Sequence, residues 1–276
     1  MIKTIDLNSA NLIDTKATSS KGNQLKWLVR NNWYKADHMG YEGLCEVVIS
    51  KLLKKSNIKH FISYSPVRIE FDGRELNGCY SKNFKKKNES IITLEHLSKQ
   101  WLANSLTKEL LRYEEPKDKI KHTVDFIEKI TNLKNAGKYL TTMLELDAFF
   151  LNEDRHTNNI AFILNDDTGE YSFCPYFDFG LSLLADTTID FPLGDDIYTL
   201  IGKIHSKPFS RDFDEQLDAA QELYGYNLNF SFTNKDIESV FKEVSDYYSA
   251  DIINRAKDLL YNQKHKYSYM FQEDGM

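Results

Sequence analysis

Cysteine is scarce in this chain of 276 residues. Cys45, Cys79 and Cys174 stand far apart with no C-x-x-C spacing, which excludes a disulfide framework and a zinc site of the usual spacing. Long apolar runs are missing too: none approaches the roughly 18 to 20 residues needed to span a bilayer. The opening MIKTIDLNSANLID holds no continuous apolar stretch that could act as a signal-peptide core. A cytoplasmic protein is the expectation, with no membrane partner. Positive charge is in deficit, and a net charge of −6 argues against a dedicated nucleic-acid binder. Two lysine clusters, KKSNIK (54–59) and KNFKKK (82–87), run against this balance; they are read as solvated loop or helix ends. Internal repeats and low-complexity tracts are also absent. What is present, 41% hydrophobic and 28% charged residues, is the composition of a folded globular protein. The length suffices for one large domain or two modest lobes.

The pattern changes along the chain. KTIDL, QLKWLV, NWYKAD and PVRIEF alternate like strands, with turn signals SSKGN, RNN and DG between them. The asparagines between QLKWLV and WYKAD suggest a tight hairpin. EGLCEVVISKLLKK repeats Cys45, Val48, Ile49, Leu52 and Leu53 at helical spacing. From about residue 90 the chain reads as helical. TLEHLSKQWLANSLTKEL and KDKIKHTVDFIEKI are amphipathic, with Pro116 near the start of the second. AGKYLTTMLELDAFFL is apolar on nearly all sides, as in a buried helix. Three more helices, DFDEQLDAAQELY, NKDIESVFKEVSDYY and ADIINRAKDLLYN, follow residue 205. The expectation is an α+β protein of two lobes. Residues 1–78 form a small β-rich N-lobe with one main helix, 79–84 a hinge, and 85–276 a larger, mostly helical C-lobe.

Chemistry concentrates in NEDRHTNN (152–159), a polar knot after the buried helix. IAFIL, NDDTGE and YSFCPYFDFG follow as a hairpin. A turn centred near Asp167 pairs residues whose numbers sum to about 335. Asn159 then faces roughly Tyr176, with Asp178 one or two residues beyond. Opposed residues have Cα atoms roughly 5 Å apart, so Asn159 and Asp178 are expected at one end of the hairpin. An amide and a carboxylate are hard oxygen ligands that suit Mg²⁺ shared with phosphate. Asp154 beside them has the character of a general base. Singly, Asn152 and Asp154 read as capping residues and His156 as a buried donor. The joint arrival of D-x-x-x-x-N and D-F-G weighs against that reading.

DRHTNN followed by FDFG resembles the catalytic and metal-binding segments of protein-kinase-like enzymes. The D-R-H-x-x-N order is similar to that of phosphatidylinositol kinases. Closer still are the HipA-like serine/threonine kinases, whose N-x-D-x-H-x-x-N stands here as Asn152, Asp154, His156 and Asn159. GYEGLCE (40–46) and the compact length resemble the short, stand-alone CtkA-type members. The H-R-D order of eukaryotic protein kinases is not present.

The resemblance implies a bilobal protein-kinase-like fold, with ATP and Mg²⁺ as cofactors. Asp154 would be the base, with His156 shaping the catalytic loop or stabilising transferred charge, and Asn159 and Asp178 would hold the metal. A strand lysine and a helix glutamate must hold the phosphates. Lys35 is the candidate, and of Glu42 and Glu46 we favour Glu46, with both left open. Ser19, Ser20, Lys21, Gly22 and Asn23 form a polar loop whose glycine lets backbone N–H groups approach phosphate. It is not a G-x-G-x-x-G. Cys79, Tyr80 and Ser81 in the hinge would neighbour the adenine. The implied reaction is transfer of the γ-phosphate to serine or threonine of a protein substrate, with autophosphorylation at Ser19 or Ser20 (Thr18 more weakly). The implied setting is either a toxin, with a cognate antitoxin as partner, or a host-directed effector, and no nucleic acid is bound directly. Alternatives are an ATP-binding pseudokinase, disfavoured by the intact set, and a lipid kinase, for which KNFKKK is the sole membrane-facing candidate. A metal-dependent hydrolase would leave Lys35 and Gly22 unexplained. PFSRDFDEQL (208–217) receives no role.

Overall fold

In the computed structural model, residues 2–13 and 24–271 are described. The chain forms two compact units, and it leaves and re-enters each of them. The first comprises Met1–Asn83, Asp178–Ile204 and Asn229–Met276; the second comprises Phe84–Phe177 and His205–Leu228.

The first unit opens with strands β1 (Thr4–Asp6), β2 (Lys26–Val29) and β3 (Asn32–Ala36), helix α1 (Glu42–Leu53), and strands β4 (Ser65–Phe71) and β5 (Arg74–Lys82). The second unit continues with β6 (Glu89–Thr93), α2 (Leu94–Leu102), α3 (Leu106–Leu110), α4 (Pro116–Thr131), α5 (Ala136–Phe150), β7 (Ala161–Asn165) and β8 (Tyr171–Phe173). Helix α6 (Ile197–Ile201) returns to the first unit and α7 (Phe213–Tyr224) to the second. Helices α8 (Asn234–Val244) and α9 (Ala250–Lys266) and a final 3-10 turn, Ser268–Phe271, end in the first. The architecture is α+β. Among the described residues no helix is long and apolar enough to cross a membrane.

The sheet of the first unit runs β1-β4-β5-β3-β2, parallel between β1 and β4 and antiparallel elsewhere. Its β2–β3 hairpin turns on Arg30 and Asn31, both left-handed at φ 48° and 63°. Two consecutive residues of this kind make the turn whose twist matches the strands. The resulting register sets Trp27 opposite Tyr34 and Lys26 opposite Lys35. Leu7, Trp27, Tyr34, Ala36, Val67 and Ile69 form a core on one face. Helix α1 is buried at every position but Lys51, which explains its nearly uniform apolarity. It approaches β5 through two glycines: a Cβ on Gly43 would lie 2.7 Å from the Gly78 carbonyl carbon.

In the second unit β6, β7 and β8 form an antiparallel sheet. The hairpin pairs Phe162 with Phe173, Ile163 with Ser172 and Leu164 with Tyr171, each pair summing to 335, the register expected from the turn. Helix α5 is buried on all sides, and Tyr139 on it stacks against Phe173 and Tyr176 with ring centroids 4.5 and 5.0 Å apart.

Three expectations need correction. Residues 74–82 and 89–93 are strands β5 and β6, although neither was among the strand candidates. TLEHLSKQWLANSLTKEL is two helices, because Ala103 is left-handed at φ 52°. The reversal is held by the Glu95 carboxylate, which accepts from the Leu106 N–H at 3.2 Å and the Thr157 hydroxyl at 2.9 Å.

Candidate active site

In the first unit, β3 carries Lys35, which is 8% exposed. Its Nζ donates to Glu46 Oε1 at 2.6 Å and to Asp178 Oδ1 at 3.0 Å. Glu46 faces Lys35 because it lies one turn into α1 from Glu42, whose carboxylate is already engaged. Glu42 accepts from the backbone N–H groups of His38, Met39 and Gly40 at 2.6 to 3.2 Å, and so ties down the turn that leads from β3 into α1. The second oxygen of Glu46 accepts the Phe179 N–H at 3.2 Å, so one carboxylate ties the lysine to the D-F-G segment. Asp178 itself is left-handed at φ 64°, and a Cβ on Gly180 would lie 3.2 Å from that of Glu42. Burial acts to push the Lys35 ammonium down, but Asp178 and Glu46 prevail and hold its pKa well above the usual lysine value. Lys35 is therefore a fixed positive charge.

Lys26 lies opposite Lys35 on β2, half-buried. Burial, aided by the charge of Lys35 and opposed by Asp178 and Glu46, pushes its pKa down. The sequence carries a signal for it. Once the turn falls on Arg30 and Asn31, Lys26 must pair with Lys35 and share its face. The hinge residues divide in the same way. Cys79 is opposite Lys35 and Ser81 opposite Trp33, both buried. Burial pushes the Cys79 thiol well above its ordinary range. Tyr80 alternates to the other face, stacked on Tyr34 at 5.7 Å with Lys3 Nζ 3.7 Å over its ring. Ser19, Ser20, Lys21, Gly22 and Asn23 lie outside the described residues.

In the second unit the polar knot is pinned by a buried ion pair. Helix α5 ends with left-handed Leu151, φ 54°, and the chain turns back on Asp147. Arg155 donates through Nε and Nη2 to the two Asp147 oxygens at 2.8 and 3.0 Å, and Asn152 Nδ2 adds a bond at 2.7 Å. Arg155 is 1% and Asp147 0% exposed. Burial raises the Asp147 pKa, while Arg155 and Asn152 oppose the shift. The remaining Arg155 nitrogen holds the carbonyls of Asn159 at 2.8 Å and Phe177 at 3.2 Å. One guanidinium thus fixes both ends of the loop and the residue preceding Asp178.

Asp154 sits at the apex, its side chain 15% exposed. His156 Nε2 is 3.7 Å from its Oδ2 and Lys207 Nζ is 3.4 Å from its Oδ1. Asn159 Nδ2 donates to the Asp154 carbonyl at 2.9 Å, which leaves the amide oxygen as the acceptor end of that side chain. Among the described residues, His156 Nδ1 is buried without a hydrogen-bond partner. Asn159 and Asp178 both offer oxygen, the donor chemistry Mg²⁺ takes. Lys207 was not among the expected site residues. It lies 53 positions from Asp154, beyond the reach of any local motif.

No family model matches the sequence, and no curated protein matches it. Solved structures do. A proinflammatory kinase of Helicobacter pylori, CtkA, superposes with a TM-score of 0.62 over 95% of this chain and 94% of its own, at 16% identity. The HipA of a Shewanella oneidensis MR-1 toxin–antitoxin system, solved with HipB and operator DNA, gives 0.47 over 94% of this chain and 67% of its own, at 13% identity. From β1 to the final 3-10 turn, the chain thus has the α+β kinase fold seen in CtkA.

Proposed function

We propose that this chain is an ATP- and Mg²⁺-dependent kinase that phosphorylates serine or threonine hydroxyls of a protein. The observation carrying this reading is the buried Lys35 ammonium held between Glu46 and Asp178, the constellation that a phosphate-binding lysine requires. Mg²⁺-bound ATP supplies the transferable phosphoryl group and the neutralisation of its polyphosphate charge. Asn159 and Asp178 are the residues that would hold the metal. Lys35 binds phosphate, and Glu46 keeps it in place.

Asp154 takes the proton of the acceptor hydroxyl. The acceptor oxygen forms its bond to phosphorus as the bond to the β-phosphate oxygen breaks, and ADP leaves with that electron pair. Most of the acceleration comes from positioning and charge neutralisation, for which the pinned loop around Arg155 is suited. His156 shapes the loop beside Asp154. In this reading residues 1–78 are the N-lobe, 79–84 the hinge and 85–276 the C-lobe. Ser19, Ser20, Lys21, Gly22 and Asn23 cover the phosphates, and Cys79, Tyr80 and Ser81 pass beside the adenine. Autophosphorylation of Ser19 or Ser20 would eject the loop and switch the enzyme off.

In this reading the protein works in the cytoplasm on a protein substrate, either as a toxin with a cognate antitoxin or as an effector. A phosphoproteome of cells expressing the wild type, set against Asp154→Ala, tests the reading. Phosphoserine or phosphothreonine sites gained only with the wild type are expected. Identical profiles would refute it.

A further inference from the structure

The segment PFSRDFDEQL has no part in the reaction so far, yet the residue just before it reaches the catalytic loop. Residues 206–211 close on themselves: the Ser206 N–H donates to the Arg211 carbonyl and the Ser206 hydroxyl to the Ser210 carbonyl, both at 2.9 Å. Gln216, fully buried in α7, fastens the loop from inside. Its Nε2 donates to the Lys207 carbonyl at 3.3 Å and its Oε1 accepts the Phe209 N–H at 3.4 Å. Phe209 is 1% exposed, and Lys119 Nζ reaches its carbonyl at 3.4 Å. Asp212 then caps α7 by accepting from the N–H groups of Asp214 and Glu215. The backbone at Lys207 is fixed before its side chain begins.

From this platform Lys207 Nζ comes within 3.4 Å of Asp154 Oδ1. The other oxygen, Oδ2, faces His156 Nε2 at 3.7 Å and Asn159 Nδ2 at 3.5 Å. An ordinary exposed ion pair joins two mobile side chains and contributes little. Here the carboxylate is largely buried and the lysine is delivered by a tied loop, while its own side chain remains 41% exposed. It can therefore meet an incoming molecule.

We propose that Lys207 is the acceptor-side cation of this site: it orients Asp154 and contacts the phosphoryl group as that group passes to the acceptor hydroxyl. The proposal rests on the kinase reading above. Charge on a phosphoryl in transit spreads over its three equatorial oxygens, and Lys35 serves the nucleotide side. As the acceptor oxygen bonds to phosphorus and ADP departs, Asp154 receives the acceptor's proton. Its negative charge then ceases to hold Lys207, and the ammonium turns to the phosphoryl oxygens. One cation serves the base first and the product next.

The test compares wild type, Lys207→Met and Lys207→Arg in intact full-length protein. Mg-ATP affinity, melting temperature and phosphate incorporation into the chain itself or into casein are measured for each. Loss of one charge-stabilising donor is expected to slow transfer about a hundred- to a thousandfold through kcat. The dissociation constant for Mg-ATP should stay within about twofold, the melting temperature should not move, and arginine should restore most of the rate. Wild-type turnover in Lys207→Met overturns the cation role and leaves the kinase reading standing. A loss that follows a lowered melting temperature, or that arginine fails to restore, also overturns it by making Lys207 structural. A wild type that binds Mg-ATP and transfers nothing overturns both.

Discussion

Lys35 Nζ and Glu46 Oε1 are 2.6 Å apart, with side-chain exposures of 10% and 1%. Removing one partner of such a buried pair strands the other charge in a medium that cannot solvate it. Lys35→Met is expected to lower unfolding free energy by about 3 to 5 kcal/mol in urea titrations and to abolish ATP binding. Glu42→Gln is expected to spare ATP binding while loosening the turn between β3 and α1, because its carboxylate serves the backbone of His38, Met39 and Gly40. Equal loss of ATP binding in both variants would show that the two glutamates do not divide their work in this way.

Arg155 and Asp147 make the corresponding pair in the second unit, and Arg155 also holds the Asn159 and Phe177 carbonyls. Arg155→Met is expected to cost about 3 to 5 kcal/mol. Arg155→Lys should not recover it, since a single ammonium cannot replace the planar fork. Adding Asp147→Leu to Arg155→Met should recover a large part of the stability, because the stranded charge is then gone. A double variant no more stable than Arg155→Met would contradict this.

Gly78 permits the contact between β5 and β3. A Cβ there would lie 2.2 Å from the Lys35 carbonyl oxygen, a backbone atom that cannot step aside. Gly78→Ala is expected to cost about 3 kcal/mol and to weaken ATP binding by displacing Lys35. Gly73→Ala, in an open turn at φ 69°, should cost only about 1 kcal/mol and leave ATP binding intact. Denaturant midpoints and ATP titrations of the two variants decide the matter.

Glu145 on α5 is buried, and that burial raises its pKa to about 7, against bonds from Asn227, Gln221 and Leu228 that lower it. The folded protein therefore holds this proton more tightly than the unfolded chain. The associated stability is fully present below the unfolded value near 4.5 and is lost as pH rises through about 7. Glu145→Gln removes the dependence. Relative to wild type it should be more stable by about 3 kcal/mol at pH 8 and nearly equal at pH 4.5. Urea midpoints that differ by the same amount at both pH values would contradict the assignment.

The parts legible in the sequence are those that local chemistry decides. The β7–β8 turn fixes its hairpin register, and the apolar α5 announces a buried helix. The paired asparagines place the first hairpin turn on Asn31 and Asn32, and it falls one residue earlier, on Arg30 and Asn31, while α1 shows only an apolar stripe in sequence although nearly all of it is buried. Strand β6 escaped because its five residues run directly into α2, whose cap, Thr93, is also its last strand residue. The break at Ala103 escaped because the Glu95 carboxylate that holds the Leu106 N–H is itself positioned by Thr157, 62 residues away. Glu42 and Glu46 share a helical side in sequence, and the backbone donors that capture Glu42 separate them. Lys207 had no signal, since its position depends on Gln216 and Phe209 packing rather than on spacing.

Phosphate transfer by wild type and Asp154→Asn tests the central claim most directly. Each folded protein is incubated with Mg²⁺ and γ-labelled ATP, and acid-stable phosphoserine and phosphothreonine are measured on the chain and on added protein. The wild type should incorporate label, and Asp154→Asn should bind Mg-ATP with similar affinity yet incorporate none. Labelling by Asp154→Asn at the wild-type rate, or a wild type that binds Mg-ATP and labels no hydroxyl, would contradict the account.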